Sequence, residues 1–393
     1  MSQPPIQCPV VRVPEVAPCN ERELDELVAF LESNAGVDDA RAFPRGTMLP
    51  DGRLDLCKQS VGPRGCARLT QALGANSQVK SILLGTDAIG DDGAFAVARL
   101  IESNPGIEVV YLGCNGISAR GVTELARVLE TNASVKGLWL KRNPIGDDGV
   151  RALARMLARN TALETLDIVN CGFSGEAFAV LAATLGHSNR TLKRLYAGGN
   201  GIGQSNAWDV GEMIGANPAL RAVLLNVGAL GDGGAQALAS RLGHNGTLHE
   251  LGLGSNGIGR EGLDALAEAV AGHPALEVLD LGRAASQSAL GAQANDFAGG
   301  GEAVAMMLRS NTTLRRVNLR GTRLGAADCA AICEAAVEHA RLVELGLDAP
   351  LPAGVKQRLA GNRIEHGAWC GDVGVQRIKS VYRTAKTVHQ NVP

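Results

Sequence analysis

The sequence predicts an α/β solenoid of about eleven repeats, each a short parallel strand followed by a helix. Three observations predict it. Apolar pairs one residue apart, from Leu54/Leu56 through Leu138/Leu140 to Leu345/Leu347, recur at eleven places, spaced by 28 residues except for one interval of 29 and one of 38. Each pair leads into a turn, marked by asparagine at Asn115, Asn143, Asn200 and Asn256, whose amide can satisfy loop backbone groups that no strand ladder reaches. Each turn is followed by two apolar residues four apart, such as Leu125/Leu129, Leu153/Leu157 and Leu238/Leu242, which is one face of a helix. Strands stack ~4.8 Å apart and helices need ~8–10 Å, so the repeats should curve into a horseshoe. The parallel β-sheet then lines the concave face and the α-helices the convex one.

In chain order, residues 1–46 form a proline-rich extended segment and a helix that caps the first repeat. Asn20 with Glu23 three residues later is a capping-box pattern, and Leu24, Leu27, Val28 and Leu31 make its apolar stripe. Residues 47–349 are the repeats, with turn positions at Gln59, Asp87, Cys171, Gly228, Ala284, Thr322 and Pro350 besides the asparagines. An insertion at about 284–301 separates one strand from its helix, with Phe297 placed to pin it. Most helices end at an asparagine, Asn76, Asn104, Asn132, Asn160, Asn189, Asn217, Asn245 or Asn311, read here as left-handed stop signals. Residues 350–393 are a basic tail, with seven Lys or Arg against two acids in 351–393. Val375, Ile378, Tyr382 and Ala385 form a helical stripe, so the tail either caps the last repeat or docks a partner through a helix at 374–389.

Composition narrows the class. Hydrophobic residues make up 45% of the chain and aromatics 3%, so aliphatic side chains fill the core, and 50 glycines in a spaced pattern indicate many tight turns. A net charge of −2 argues against a nucleic-acid binder. No segment approaches a membrane span, and the N-terminus shows no secretory pattern. Nine cysteines without a CxxC pair read as reduced thiols of a cytoplasmic protein.

The motif LxxLxLxxNxIGxxGxxxLAxxLxxN, in residues 107–132 and 248–270, resembles the leucine-rich repeat of the ribonuclease-inhibitor type. GAQALA at 234–239, with GVRALA at 149–154 and GLDALA at 262–267, is similar to the bacterial GALA-type subgroup. The resemblance implies the horseshoe fold and leaves the function open, since its family spans inhibitors, GTPase activators, immune sensors and bacterial effectors.

Apparent catalytic motifs dissolve in the period. GDDG at 90–93 and 146–149 falls at helix starts, where acids cap free N–H groups and meet the positive end of the dipole. Gly198–Gly203 lacks the Lys-Ser/Thr of a phosphate loop. His187, His244, His273 and His339 fall at helix ends, where a positive charge favours the dipole. No catalytic residue, cofactor or metal site emerges.

The residue between each inward pair faces the concave side. That row places Tyr111, Trp139, Asp167, Tyr196, Asp280 and Asn318, and it collects three of the chain's six Tyr and Trp residues. Lys141 and Arg320 fall in the next row, and Arg142 beside Lys141 is free of the consensus. Arg315, Arg316, Arg320 and Arg323 surround one strand, with Arg283 one repeat earlier, and form a basic cluster suited to an acidic segment or a phosphate. Tyr and Trp are enriched at binding hot spots. The expectation is a non-enzymatic scaffold holding a protein or peptide partner on these residues, including as an accessory subunit of an enzyme complex. A GTPase-activator-like regulator and a bacterial effector acting on host proteins are the alternatives.

Overall fold

The structure is a computed structural model that describes residues 16–367 and 377–382. It is an α/β leucine-rich-repeat solenoid, divided into two compact units: Met1–Gly172 with Gly371–Pro393, and Phe173–Cys370.

Unit 1 begins with a 3-10 turn, Glu21–Leu24, running into helix α1 (Asp25–Glu32). A two-residue hairpin follows, β1 (Arg41–Ala42) and β2 (Thr47–Met48). Then come β3 (Arg53–Asp55), α2 (Gly62–Ala72), β4 (Ser81–Leu83), α3 (Gly90–Ser103), β5 (Val109–Tyr111), α4 (Ala119–Leu129), β6 (Gly137–Trp139), α5 (Gly146–Leu157) and β7 (Thr165–Asp167). Strands β3 to β7 are parallel neighbours in sequence order. Strand β2 joins β3 antiparallel, so a hairpin covers the sheet's first edge, an element the repeat period does not encode.

Unit 2 starts with α6 (Gly175–His187) and continues through β8 (Arg194–Tyr196), α7 (Ala207–Ala216), β9 (Ala222–Leu224), α8 (Gly231–Leu242), β10 (Glu250–Gly252), α9 (Arg260–Ala271), β11 (Val278–Asp280), α10 (Gly301–Ser310), β12 (Arg316–Asn318), α11 (Ala326–Glu338), β13 (Glu344–Gly346) and α12 (Ala353–His366). Strands β8 to β13 are parallel in sequence order.

The core lies between sheet and helices, and the inward pair of each repeat supplies it. Leu138 and Leu140 are fully buried, as are Leu153 and Leu157 of the helix that follows. Each such side chain contributes roughly 1.5–3 kcal/mol. Because every repeat repeats this geometry with its neighbour, the 28-residue register holds without long-range specification.

Two asparagine ladders tie the repeats. In the first, Asn143 Oδ1 accepts the Asn115 N–H at 2.8 Å, and its Nδ2 donates to the Leu112 and Leu140 carbonyls at 2.9 and 2.8 Å. In the second, at the helix ends, Asn104 Nδ2 donates to the carbonyls of Leu73 and Asn76 at 2.7 and 2.8 Å, while its Oδ1 accepts the Gly106 N–H at 2.8 Å. Left-handed stop signals are not what these residues are: Asn104, Asn217 and Asn311 have φ of −119°, −94° and −76°. The side-chain bonds to the preceding repeat, rather than the backbone conformation, account for asparagine there.

Other expectations shift locally. The turn position after β11 is Asn295, not Ala284: its Oδ1 accepts from Asn256 and Ile258 at 3.0 Å each, so the extra residues precede the ladder asparagine. Phe297 is fully buried beside it. Asp91 caps the neighbouring helix instead of its own, accepting from the Ser118 and Gly121 N–H groups at 2.8 and 3.1 Å. Burial opposes its ionisation, but the bonds from Ser118, Arg120 and Gly121 outweigh it and hold the carboxyl below its usual range. His273 and His339 occupy helix-end ladder positions as acceptors: Nδ1 of His339 takes the Arg341 and Leu342 N–H groups at 3.1 Å each. Burial lowers the affinity of His339 for a proton to a pKa of about 4, so it is neutral and does not favour the dipole by charge.

Candidate recognition face

The sheet face turned away from the helices carries the residues between the inward pairs. In unit 1 the register lines up Asp55, Leu83, Tyr111, Trp139 and Asp167 across five strands. Two glycines shape this row. A Cβ on Gly137 would collide with the Trp139 indole, and one on Gly85 with the Tyr111 ring, so each aromatic lies down over a glycine on the same face. Lys141 Nζ stands 5.5 Å from the Tyr111 ring centroid, a cation–π distance. Arg142 lies in the loop beyond, with φ of 59°, the left-handed position that Lys58, Thr86, Cys114 and Asn170 take in the other repeats of unit 1.

Trp139 lies on this face as its row predicts, but it is only 2% exposed. The covering group is Ile378, which is 4% exposed and clusters with Cys57, Leu83, Val109 and Trp139, with Tyr111 packed against them. Residues 377–382 lie on the face of unit 1. The Arg377 guanidinium pairs with Glu108 at 2.7 Å. The Lys379 carbonyl accepts from Arg53 Nη1 at 2.6 Å. Asp55 accepts from Ser380 Oγ at 3.1 Å and from the Val381 N–H at 2.7 Å, besides the Cys57 N–H at 3.1 Å. The Tyr382 hydroxyl is 2.5 Å from Thr47 Oγ1 on the edge hairpin. Burial raises the Asp55 carboxyl above its usual range despite these donors, and burial likewise raises the Tyr382 phenol.

Of the helix expected at 374–389, the described residues 377–382 form no helical turn. Residues 377–378 and 381–382 are turns, and 374–376 and 383–389 lie outside the described residues. The helix that follows the last strand is α12, which a reading of the repeat period misses. It continues the ladder through Asn362, whose Nδ2 donates to the His339 and Leu342 carbonyls at 3.0 and 2.8 Å. Val355, Leu359 and Asn362, at helical spacing, were its signal.

Unit 2 holds the other expected residues. Tyr196, half-buried, ends β8. Asn318 Nδ2 donates to Asp280 Oδ1 at 2.7 Å, and Asp280 also accepts the Gly282 N–H at 3.1 Å. Arg316 pairs with Glu344 at 3.4 Å, and Arg323 with Asp296 at 2.7 Å. Arg283 donates to Ser288 Oγ of the insertion at 3.1 Å. Within the unit, Arg316 and Arg323 are thus paired with acids, whereas Arg283 meets a neutral hydroxyl. Arg320 is exposed and, among the described residues, its side chain forms no ion pair. Also among the described residues, no group of three His, Cys, Asp or Glu side chains could hold a metal ion, and no helix is long and apolar enough to cross a membrane.

The family model for the leucine-rich repeat matches residues 131–154, 244–267 and 310–333. No curated protein matches the chain in sequence. Among solved structures, a chain of the yeast Rad7 and Elc1 complex is similar at 13% identity and a TM-score of 0.52, covering 84% of this chain and 77% of that one. The leiomodin-1 actin-binding site 2 is similar at 20% identity and a TM-score of 0.34, covering 42% of this chain and 88% of that chain. The tropomodulin C-terminal domain of Caenorhabditis elegans matches at 16% identity and a TM-score of 0.34, over 41% and 90%. These likenesses concern the fold; a partner has to be argued from residues.

Proposed function

We propose that this protein is a non-enzymatic recognition scaffold that holds a protein or peptide partner on the helix-free face of its repeats. Leucine-rich-repeat proteins generally mediate protein–protein interaction, which is the frame for this reading. One observation carries it: the face of unit 1 already holds a peptide, residues 377–382, through an apolar anchor, an ion pair and hydrogen bonds to the buried Asp55 carboxylate. An apolar floor with a few placed polar groups is the pattern of a peptide-binding surface.

Tyr111, Trp139, Lys141, Arg142 and Asp167 are assigned to the partner in unit 1. Tyr196, Asp280, Arg283, Arg316, Asn318 and Arg320 are assigned in unit 2, where the unpaired Arg320 guanidinium suits an acidic group on the partner. We place the protein in the cytoplasm, where buried thiols such as Cys57, Cys66 and Cys333 stay reduced.

The test is position-specific photo-crosslinking in cells. A photoreactive residue replacing Lys141, on the sheet face, should give discrete protein adducts. The same residue replacing Arg155, exposed on α5, should not. Equal adducts at both positions, or none at Lys141, would contradict the assignment.

A further inference from the structure

Unit 1 reads the segment Arg377-Ile378-Lys379-Ser380-Val381-Tyr382 at alternate positions. Ile378 and Tyr382 are buried and Ser380 is half-buried, whereas Arg377, Lys379 and Val381 are exposed. Each inward residue meets matched chemistry. Ile378 rests on Leu83, Val109 and Trp139 from three successive strands, closed by Cys57. Ser380 and the Val381 N–H supply donors to a carboxylate that has no exposed surface. Tyr382 reaches Thr47 with its hydroxyl while its ring is buried.

The repeat itself does not call for this surface. Its core lies on the other side of the sheet, where Leu54, Ile82, Val110 and Leu138 are already fully buried. Leu83, Val109 and Trp139, uncovered, would form an apolar patch on a polar rim, the mark of an interaction site. Arg377 adds an ion pair with Glu108 at the rim. Such rim contacts contribute more to selectivity than to affinity.

Resting on the recognition reading above, we infer that residues 377–382 are a resident stand-in for the partner. Unit 1 recognises a partner peptide with a basic residue followed by aliphatic–any–Ser–any–Tyr, and engages it by exchanging it for the tail. A tail on the same chain competes at an effective concentration on the order of millimolar. It therefore weakens every incoming peptide and leaves an advantage to those that satisfy all the anchors at once.

The experiment uses the full chain and a fluorescein-labelled peptide with the sequence of residues 374–386, followed by anisotropy. Wild type is compared with Ile378→Asp, which puts a charge into the apolar cluster, and with Ser380→Glu, which sets a second carboxylate against Asp55. Neither change alters a residue of the sheet itself, and thermal melting of both variants checks that the repeats remain folded. The peptide should bind each variant at least about tenfold more tightly than wild type, because the tail no longer competes. Peptides carrying the same two changes should bind none of the proteins. Equal binding to wild type and variants, or binding to none, overturns the inference. A wild-type dimer that both variants dissociate also overturns it, since the tail would then serve a second copy. Crosslinks at Lys141 that added peptide leaves unchanged would remove this inference and keep the recognition reading. Peptide exchange without any cellular crosslink would remove the recognition reading instead.

Discussion

The Val381 N–H donates to Asp55 Oδ2 at 2.7 Å, joining residues 326 positions apart in the sequence. Asp55 ends β3, the first strand of the parallel series, and holds a turn of the tail in place with one oxygen for Val381 and the other for Ser380. A buried carboxylate needs such donors, since its desolvation is otherwise uncompensated.

Asp55→Ala should loosen the tail. Hydrogen bonds to a charged group contribute about 1.5–3 kcal/mol, so the docking equilibrium constant should fall by more than about tenfold, with 1.4 kcal/mol per decade. Trypsin cleavage after Arg377 and Lys379, timed against wild type, reads this directly; unchanged cleavage would show that Asp55 does not hold the segment.

Gly137→Ala should disturb the same face from below. The new Cβ meets the Trp139 indole, which is 2% exposed and has no open side to move toward while Ile378 covers it. Overpacking of this kind costs about 1–3 kcal/mol. Urea unfolding should give a lower midpoint, and the tail should become more sensitive to trypsin.

Asp87 stands in the asparagine ladder. Its Oδ1 accepts from Gln59 and Val61, but Oδ2 has no hydrogen-bond partner among the described residues, where Asn143 has a donating amide. Burial pushes its carboxyl well above the usual range. A raised acid pKa gives stability that is fully present below the unfolded value, about 4, and is lost as pH rises toward the folded value. Asp87→Asn should therefore stabilise the protein at neutral pH by about 1–3 kcal/mol and flatten that loss. Melting temperatures of both proteins from pH 4 to pH 8 check it; parallel curves would contradict it.

His339 gives the opposite slope. Its pKa is lowered to about 4, with burial as the largest cause, so the stability it confers is present above the unfolded value of about 6.5 and is lost as pH falls toward 4. The His339→Asn variant restores the amide used at Asn311, which donates to the Val270 carbonyl at 2.7 Å. It should lose less stability between pH 6.5 and pH 4 than wild type in the same melts.

The repeats were legible because each contacts its neighbours at a fixed sequence distance. Period and apolar alternation located the eleven parallel strands found among the described residues and put Asp55, Tyr111 and Trp139 on the helix-free face. Whether that face is open was not legible, because nothing local to Trp139 specifies that Ile378 covers it. The amphipathic spacing of Val375, Ile378 and Tyr382 suggested a helix; in the structure Ile378 and Tyr382 are instead anchors on a short turning segment. The two ladders were half visible: asparagine marked the positions, but its hydrogen bonds reach one repeat back, where no sequence signal stands beside them.

The most direct measurement is hydrogen–deuterium exchange at the Val381 amide of the full chain, alone and with the peptide of residues 374–386 in excess. The account predicts slow exchange alone, from the bond to Asp55, and faster exchange with peptide as the tail is displaced. Fast exchange alone, or slow exchange that a bound peptide leaves unchanged, would contradict it.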